Sequence, residues 1–248
     1  ITTQAAAAQG DVILNEWNAV GPNKFLEDNG TDTFFGQVAG NGGDWIELVV
    51  IKNNADLRGF KIEWKNGDSP IKQGALTFSN STKWNGGASG GGLKAGTIIV
   101  LREDASADTF PDRSGLACDI SVDNGSWDNI IQLRTNGTYV TESGTDWQVD
   151  NDDWTARILD NATPTRGVVQ SWVGEDTSAA DIRTGSGLSS EEVGKLEQDP
   201  SANAAVYSPS QLGNYNDGDT STYGDPNLWN SGANEQCFEA LTGCNTCP

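Results

Sequence analysis

Glu16 and Glu47 are the residues whose positions first suggest chemistry, because each stands inside a short apolar run. A pair of carboxyl groups can act as general acid and base, as in glycoside hydrolysis. The chain has no His, so serine and cysteine nucleophile systems would lack their usual base. A carboxylate in apolar company more often bonds to backbone groups or pairs with a cation than it catalyses a reaction. We therefore predict a structural role for both, no catalytic residue and no enzyme.

Two acidic clusters offer the hard oxygen ligands that calcium requires. They are Asp150, Asp152 and Asp153 in one segment, and Asp217 and Asp219 in another. Neither cluster fits the full EF-hand pattern, and solvated acidic loops are the alternative interpretation. Calcium is the one cofactor that the sequence suggests.

The four cysteines are an even set that suits disulfides in an oxidising compartment. They are Cys118, Cys237, Cys244 and Cys247. The single CxxC spacing leaves zinc binding as an alternative, and four cysteines allow three pairings among which the sequence does not choose. The chain has no Met, even at its first position, which suggests that a signal peptide has been removed. A secreted or cell-surface protein is the resulting prediction.

Nine tryptophans contribute large apolar surfaces to a chain poor in aliphatic residues, which favours a folded, aromatic-rich core. Exposed tryptophans can also stack on sugar rings, so extracellular glycans are a second class of partner. Trp84, in glycine-rich surroundings, and Trp229 are the two expected to be exposed and to face a ligand.

The net charge of −20, from 15 basic and 35 acidic residues, argues against nucleic acid as a partner, because a phosphate backbone attracts clustered Lys and Arg. No stretch approaches the roughly 18 apolar residues of a membrane span, so no membrane insertion is expected.

Short apolar runs bounded by Gly, Asn and Asp predict β-strands. The runs are Val12 to Trp17, Trp45 to Ile51, Phe60 to Trp64, Ile98 to Leu101, Ile130 to Leu133 and Val168 to Val173. The run from Trp45 is apolar on both faces, which predicts a central strand. One helix is expected, from a capping box at Ser189 to Gln198. The sequence thus predicts an all-β protein with long acidic loops and at most one or two short helices.

Four motifs resemble those of the lamin tail domain. They are Ile13-Leu14-Asn15-Glu16, Asp44-Trp45-Ile46-Glu47-Leu48, Asp56-Leu57-Arg58-Gly59-Phe60, and Leu93-Lys94-Ala95-Gly96 with the run that follows. In addition, Gly224-Asp225-Pro226-Asn227 is similar to the closing turn of that family. The resemblance covers residues 11 to 140 and implies an immunoglobulin-like β-sandwich without catalytic residues. We accordingly divide the chain into an N-terminal arm (1–10), a sandwich (11–230) with an acidic insertion at about 141–222, and a Cys-rich tail (231–248).

The arm differs from the rest of the chain because its first ten residues carry no charged side chain. Ile1 to Gln9 would span roughly 30 Å when extended, enough to reach a neighbouring domain and add a strand to its sheet. Ile1, Thr2, Thr3 and Gln4 are the predicted contact residues. The leading functional hypothesis is a non-catalytic extracellular structural protein that self-associates into a filament or surface array. The alternatives are a calcium-dependent carbohydrate or matrix-binding module and an accessory domain of a secreted hydrolase.

Overall fold

The computed structural model describes most of the residues of the chain. They are 8–67, 72–85, 91–103, 130–162, 165–174, 187–201, 214–238 and 241. Thirteen strands lie within these ranges. In chain order they are β1 (Val12–Asn18), β2 (Trp45–Val50), β3 (Lys61–Asn66), β4 (Lys72–Phe78), β5 (Ile98–Arg102), β6 (Ile130–Arg134), β7 (Val140–Gly144), β8 (Trp154–Leu159), β9 (Val168–Gly174), β10 (Val193–Leu196), β11 (Tyr215–Gly218), β12 (Leu228–Trp229) and β13 (Asn234–Glu235).

The strands form two principal sheets and one small hairpin. The six-stranded sheet has the order β11-β10-β1-β2-β5-β6, the five-stranded sheet β7-β4-β3-β8-β9, and β12 pairs with β13. The pairings are antiparallel except that of β5 with β6, which is parallel. The helical elements bounded within the described residues are three 3-10 turns, at Glu27–Asn29, Ala39–Gly42 and Thr82–Asn85. The prediction of an all-β sandwich is confirmed.

Aromatic side chains join the two sheets. Trp17 on β1 stacks on Trp154 of β8, with ring centroids 6.0 Å apart, and Trp147 meets both Trp154 and Trp64 edge-on. All four rings are almost completely buried. Burial of such large rings provides much of the apolar free energy of folding in a chain with few aliphatic residues.

The predicted central strand, β2, is buried along its whole length. It lies between β1 and β5, and Tyr223 packs edge-on against Trp45 with ring centroids 5.2 Å apart. Each of the six apolar runs named above lies in a strand, with Phe60 and Ile51 just outside the ends of theirs. Continuous apolar character therefore indicates a strand in this chain, although the runs in β6 and β9 form strands at the sheet edges.

The helix predicted from Ser189 to Gln198 is wrong. The segment makes a turn and then forms β10, which pairs with β1 and β11. The capping contacts do form: the Ser189 backbone N–H donates to Glu192 Oε2 (2.6 Å), and the Glu191 N–H donates to Ser189 Oγ (3.2 Å). These bonds close the turn, and pairing with a buried strand outweighs the local helix signal.

The acidic segment at about 141–222 contributes to both sheets. It provides β8 and β9 to one sheet and β10 and β11 to the other. It is therefore part of the sandwich rather than a loop added to it. No helix in the described ranges is both long and apolar enough to cross a membrane.

Gly194 is required where β10 passes under Trp17. These two residues are partners in the β1–β10 register, and a Cβ on Gly194 would lie 2.1 Å from the Trp17 ring. We predict that Gly194→Ala lowers the free energy of unfolding by roughly 1–3 kcal/mol, because the overpacked core must shift. Urea denaturation followed by tryptophan fluorescence measures the change.

Gly21→Ala is the matched control, because a Cβ there meets its nearest atom, Lys24 Cγ, at 3.4 Å. We expect this substitution to change the free energy of unfolding by less than about 1 kcal/mol. Equal denaturation midpoints for the two variants would contradict the pairing of β10 beside Trp17.

Candidate functional site

The two carboxylates singled out by the sequence face each other. Glu16 on β1 and Glu47 on β2 are direct partners in the strand register, next to a β-bulge between Leu14 and Glu16. The bulge allows the consecutive residues Asn15 and Glu16 to contact the same segment, residues 220–236, which we call the closing segment. Neither glutamate has any exposed surface.

Glu16 is held by the closing segment and faced by a cation. Thr222 donates to it twice, from Oγ1 to Oε2 (2.5 Å) and from the backbone N–H to Oε1 (3.2 Å). Lys195 is its partner on β10, and the Lys195 Nζ donates to the carbonyl and the hydroxyl of Thr220, each at 2.7 Å. The cation thus fixes the start of the closing segment beside the carboxylate.

Both oxygens of Glu47 accept hydrogen bonds. Asn15 Nδ2 donates to Oε1 (2.8 Å), and the Gly224 N–H donates to Oε2 (2.9 Å). The carboxylate therefore connects β1 to the closing segment through β2.

Three buried amides extend this network. Asn227 Nδ2 donates to the backbone carbonyls of Asn15 (2.9 Å) and Leu196 (3.0 Å). Gln236 Nε2 donates to Asn15 Oδ1 (2.9 Å). The two bonds from Asn227 satisfy backbone carbonyls that a bulge and a strand end would leave unpaired.

Asp32 fixes the closing segment from its other side. Its Oδ2 accepts from Ser221 Oγ (2.6 Å) and from the Tyr223 N–H (3.1 Å), while its Oδ1 accepts from the backbone of Phe34 and Phe35. The stretch from Thr220 to Gly224 is therefore bonded both to the sheet and to the loop that contains Asp32.

The environment shifts the proton affinities of the central groups. Burial raises the pKa of Glu16 to about 7, against the lowering effects of Lys195 and Thr222. Burial and the nearby Glu16 raise the pKa of Glu47 well above its ordinary value. Burial lowers the pKa of Lys195, although Glu16 opposes this shift. Shifts of this kind are common in active sites, but these carboxyl groups have no surface with which to touch a substrate.

Residues of both predicted calcium clusters contact other parts of the fold. Asp150 accepts from Asn66 Nδ2 (3.2 Å) and from the Asn151 N–H (2.8 Å). Asp217 pairs with Gly194 in the β10–β11 register. No group of three or more His, Cys, Asp or Glu side chains in the described parts of the chain could share a metal ion.

The expectation that Trp84 is exposed is wrong. Its ring is fully buried, stacks on Phe78 with centroids 4.3 Å apart, and donates from Nε1 to the Tyr139 carbonyl (2.9 Å). The 3-10 turn Thr82–Asn85 places the ring against β4, so the neighbouring glycines do not imply exposure. Trp229, on β12, is half-buried.

Two other expectations fall largely outside the described residues. Cys237 is disulfide-bonded, whereas Cys118, Cys244 and Cys247 lie outside the described ranges. The arm residues Ile1, Thr2, Thr3 and Gln4 lie outside them too. Of the arm, only residues 8–10 are described, and there the Gly10 N–H donates to the Val169 carbonyl on β9 (2.8 Å).

Sequence analysis missed most members of the buried network. Thr222 is 206 residues from Glu16, and Gln236 is 221 residues from Asn15, so no local pattern connects them. The one available signal was the turn Gly224-Asp225-Pro226-Asn227, which contains two of the groups that bond to Glu47 and Asn15.

Comparison with known family models, curated proteins and solved structures finds no match to this chain.

We predict that all four cysteines are oxidised, because their number is even and Cys237 is already disulfide-bonded. Thiol titration of the denatured, unreduced protein should detect no free thiol. Two or more free thiols per chain would contradict the prediction.

The buried carboxyl groups predict a stability that falls as pH rises. The pKa of Glu16 is raised from 4.5 in the unfolded chain to about 7, so the folded state holds a proton that the unfolded state releases between these values. Its contribution is fully present below pH 4.5 and is lost as pH rises through about 7, by roughly 3 kcal/mol in all. Urea denaturation between pH 5 and 8 measures this slope.

Glu47→Gln should reduce the slope, because burial raises the pKa of Glu47 well above its ordinary value and the amide is neutral at every pH. Glu235→Gln, at an exposed carboxylate on β13, is the control and should leave the slope unchanged. The slope does not vanish in Glu47→Gln, since burial also raises the pKa of Asp44 to about 7. Equal slopes for Glu47→Gln and the unaltered protein would contradict this account.

Proposed function

We propose that this protein is a non-catalytic structural protein of the cell exterior that self-associates as a filament or surface array, through its β-sandwich and its N-terminal arm. One observation carries the non-catalytic part. Glu16 and Glu47, the carboxylates best suited to acid–base chemistry, are completely buried, and their hydrogen bonds hold the closing segment on the sheet. Their chemistry is used to stabilise the fold.

The position of Gly10, the last residue of the arm, supports head-to-tail association. The hydrogen bond from Gly10 to Val169 starts the arm beside β9, at one edge of the five-stranded sheet. The opposite edge is β7, on which Thr141, Ser143 and Gly144 are exposed and which pairs, within the described residues, with β4 alone. An arm that leaves one edge and adds to the opposite edge of the next copy makes a contact that propagates without closing.

The lamin tail resemblance belongs to the same proposal. Its first two motifs lie on β1 and β2, and the apolar run that completes its fourth motif is β5, so these three motifs reach three neighbouring strands of one sheet. Secretion is part of this proposal and is supported by the even number of cysteines, which suits disulfides in an oxidising compartment.

The alternatives remain a calcium-dependent carbohydrate or matrix-binding module and an accessory domain of a secreted hydrolase. A glycan array with and without chelator separates the first from a purely structural protein. Hydrolytic activity in this chain that is lost on Glu16→Gln without unfolding would favour an enzyme.

Deleting Ile1 to Gln9 should lower the average mass of the assemblies in light scattering at matched salt, because the connecting strand is removed. The double variant Thr2→Pro and Thr3→Pro should have a similar effect, since proline keeps the length and charge of the arm but removes backbone donors. Unchanged assemblies in the deletion variant would overturn the role of the arm.

A further inference from the structure

The outer face of the five-stranded sheet carries positive charge in a strongly acidic chain. Along β3, buried and half-buried residues alternate, so that Lys61, Glu63 and Lys65 face outward. Arg157 on β8 is the register partner of Glu63 and lies on the same face. Three cations and one carboxylate thus share this surface, whereas the whole chain has a net charge of −20.

Trp172 lies among these charges. This residue of β9 is half-buried, with Lys65 Nζ 4.4 Å and Arg157 Cζ 4.7 Å from its ring centroid. The attraction between a cation and an aromatic ring holds both charged groups at the ring. Two positive charges are therefore fixed close together beside a flat apolar surface.

The Arg157–Glu63 pair leaves one donor and one acceptor for a ligand. Arg157 donates from Nε (2.9 Å) and Nη2 (2.6 Å) to the same atom, Glu63 Oε2. In the described part of the chain, Arg157 Nη1 and Glu63 Oε1 have no hydrogen-bond partner. About a third of each side chain is exposed.

These groups line a groove of about 420 Å³, a size typical of small-molecule sites. Gln73 and Ser143 add neutral polar groups at its rim. Gly74 and Gly144 face each other across β4 and β7, where a Cβ on Gly74 would lie 2.2 Å from the Ser143 carbonyl oxygen. That Cβ would also lie 2.9 Å from Nε1 of the buried Trp64, so this position has room for glycine alone.

We propose that this groove binds an acidic oligosaccharide that carries hexuronate carboxylates. The carboxylate pairs with Lys65 and with Arg157 Nη1, an adjacent hydroxyl donates to Glu63 Oε1, and the apolar face of a sugar ring packs on Trp172. An acidic peptide fits less well, because its acidic side chains have no hydroxyl beside the carboxylate to donate to Glu63 and no flat apolar face to pack on Trp172. The inference does not depend on the arm or on self-association.

Titration calorimetry on the chain lacking Ile1 to Gln9 tests this binding separately from assembly. The probes are trigalacturonate, trimannuronate and a hyaluronan tetrasaccharide, compared with neutral maltotriose and with hexaglutamate. We expect at least one carboxylated oligosaccharide to bind, more weakly as salt increases, and the neutral sugar and the peptide to bind at least about tenfold less tightly.

Trp172→Ala removes the aromatic contact with the sugar ring, and Lys65→Gln removes a charge-assisted contact with the carboxylate. Each substitution should weaken binding about tenfold. Phe25→Ala is the matched control, because it removes an exposed aromatic side chain outside the groove, and it should bind as the unaltered chain does. Circular dichroism verifies the fold of each variant, and Lys65→Gln tests the site if Trp172→Ala does not fold.

The proposal is overturned if no carboxylated oligosaccharide binds. It is also overturned if maltotriose or hexaglutamate binds as tightly, or if Lys65→Gln and Phe25→Ala have equal effects.

Discussion

The burial of two opposed carboxyl groups is the constraint on which the architecture depends. A carboxyl group removed from water needs hydrogen-bond donors, and a second one beside it makes that need greater. β1 and β2 cannot supply these donors from their own backbones, since those groups are engaged in the sheet. Thr222 and Gly224 supply them instead, while Lys195 adds an opposite charge. The closing segment thus covers the outer face of a sheet that would otherwise expose polar groups among apolar ones.

The sequence predicted the elements whose strand conformation and burial follow from their own residues. β2 and β5 were identified because nearly every residue in them is apolar, a property that needs no knowledge of a partner. β10 was not, because Val193-Gly194-Lys195-Leu196 follows a capping box, and its strand conformation depends on Trp17 and β1. Trp84 was misjudged for a similar reason: its burial depends on Phe78 and Tyr139, which a composition rich in glycine does not reveal. The partners of Glu16 and Glu47 in the closing segment were not predicted, because they lie far from these residues in the sequence.

Charge is divided unevenly between the two faces of the sandwich. The outward residues of β3 and β8 include three cations and one carboxylate, while the covered face of the six-stranded sheet contains the buried acids. A protein with a large negative net charge is kept soluble by repulsion between copies. A local cationic surface is then the place at which an acidic partner, excluded elsewhere, can approach.

The hydrogen bonds between Asn15 or Glu16 and residues 222–236 also bear on the order of folding. These contacts join parts of the chain that are more than 200 residues apart, so the structure has a high contact order around its central strands. Closing so long a loop precedes any gain from the bonds, which slows folding. During synthesis, the strand that bears Glu16 emerges long before its donors exist. The carboxyl groups therefore stay hydrated until the closing segment is available, and the sandwich is completed only when nearly all of these residues have left the ribosome.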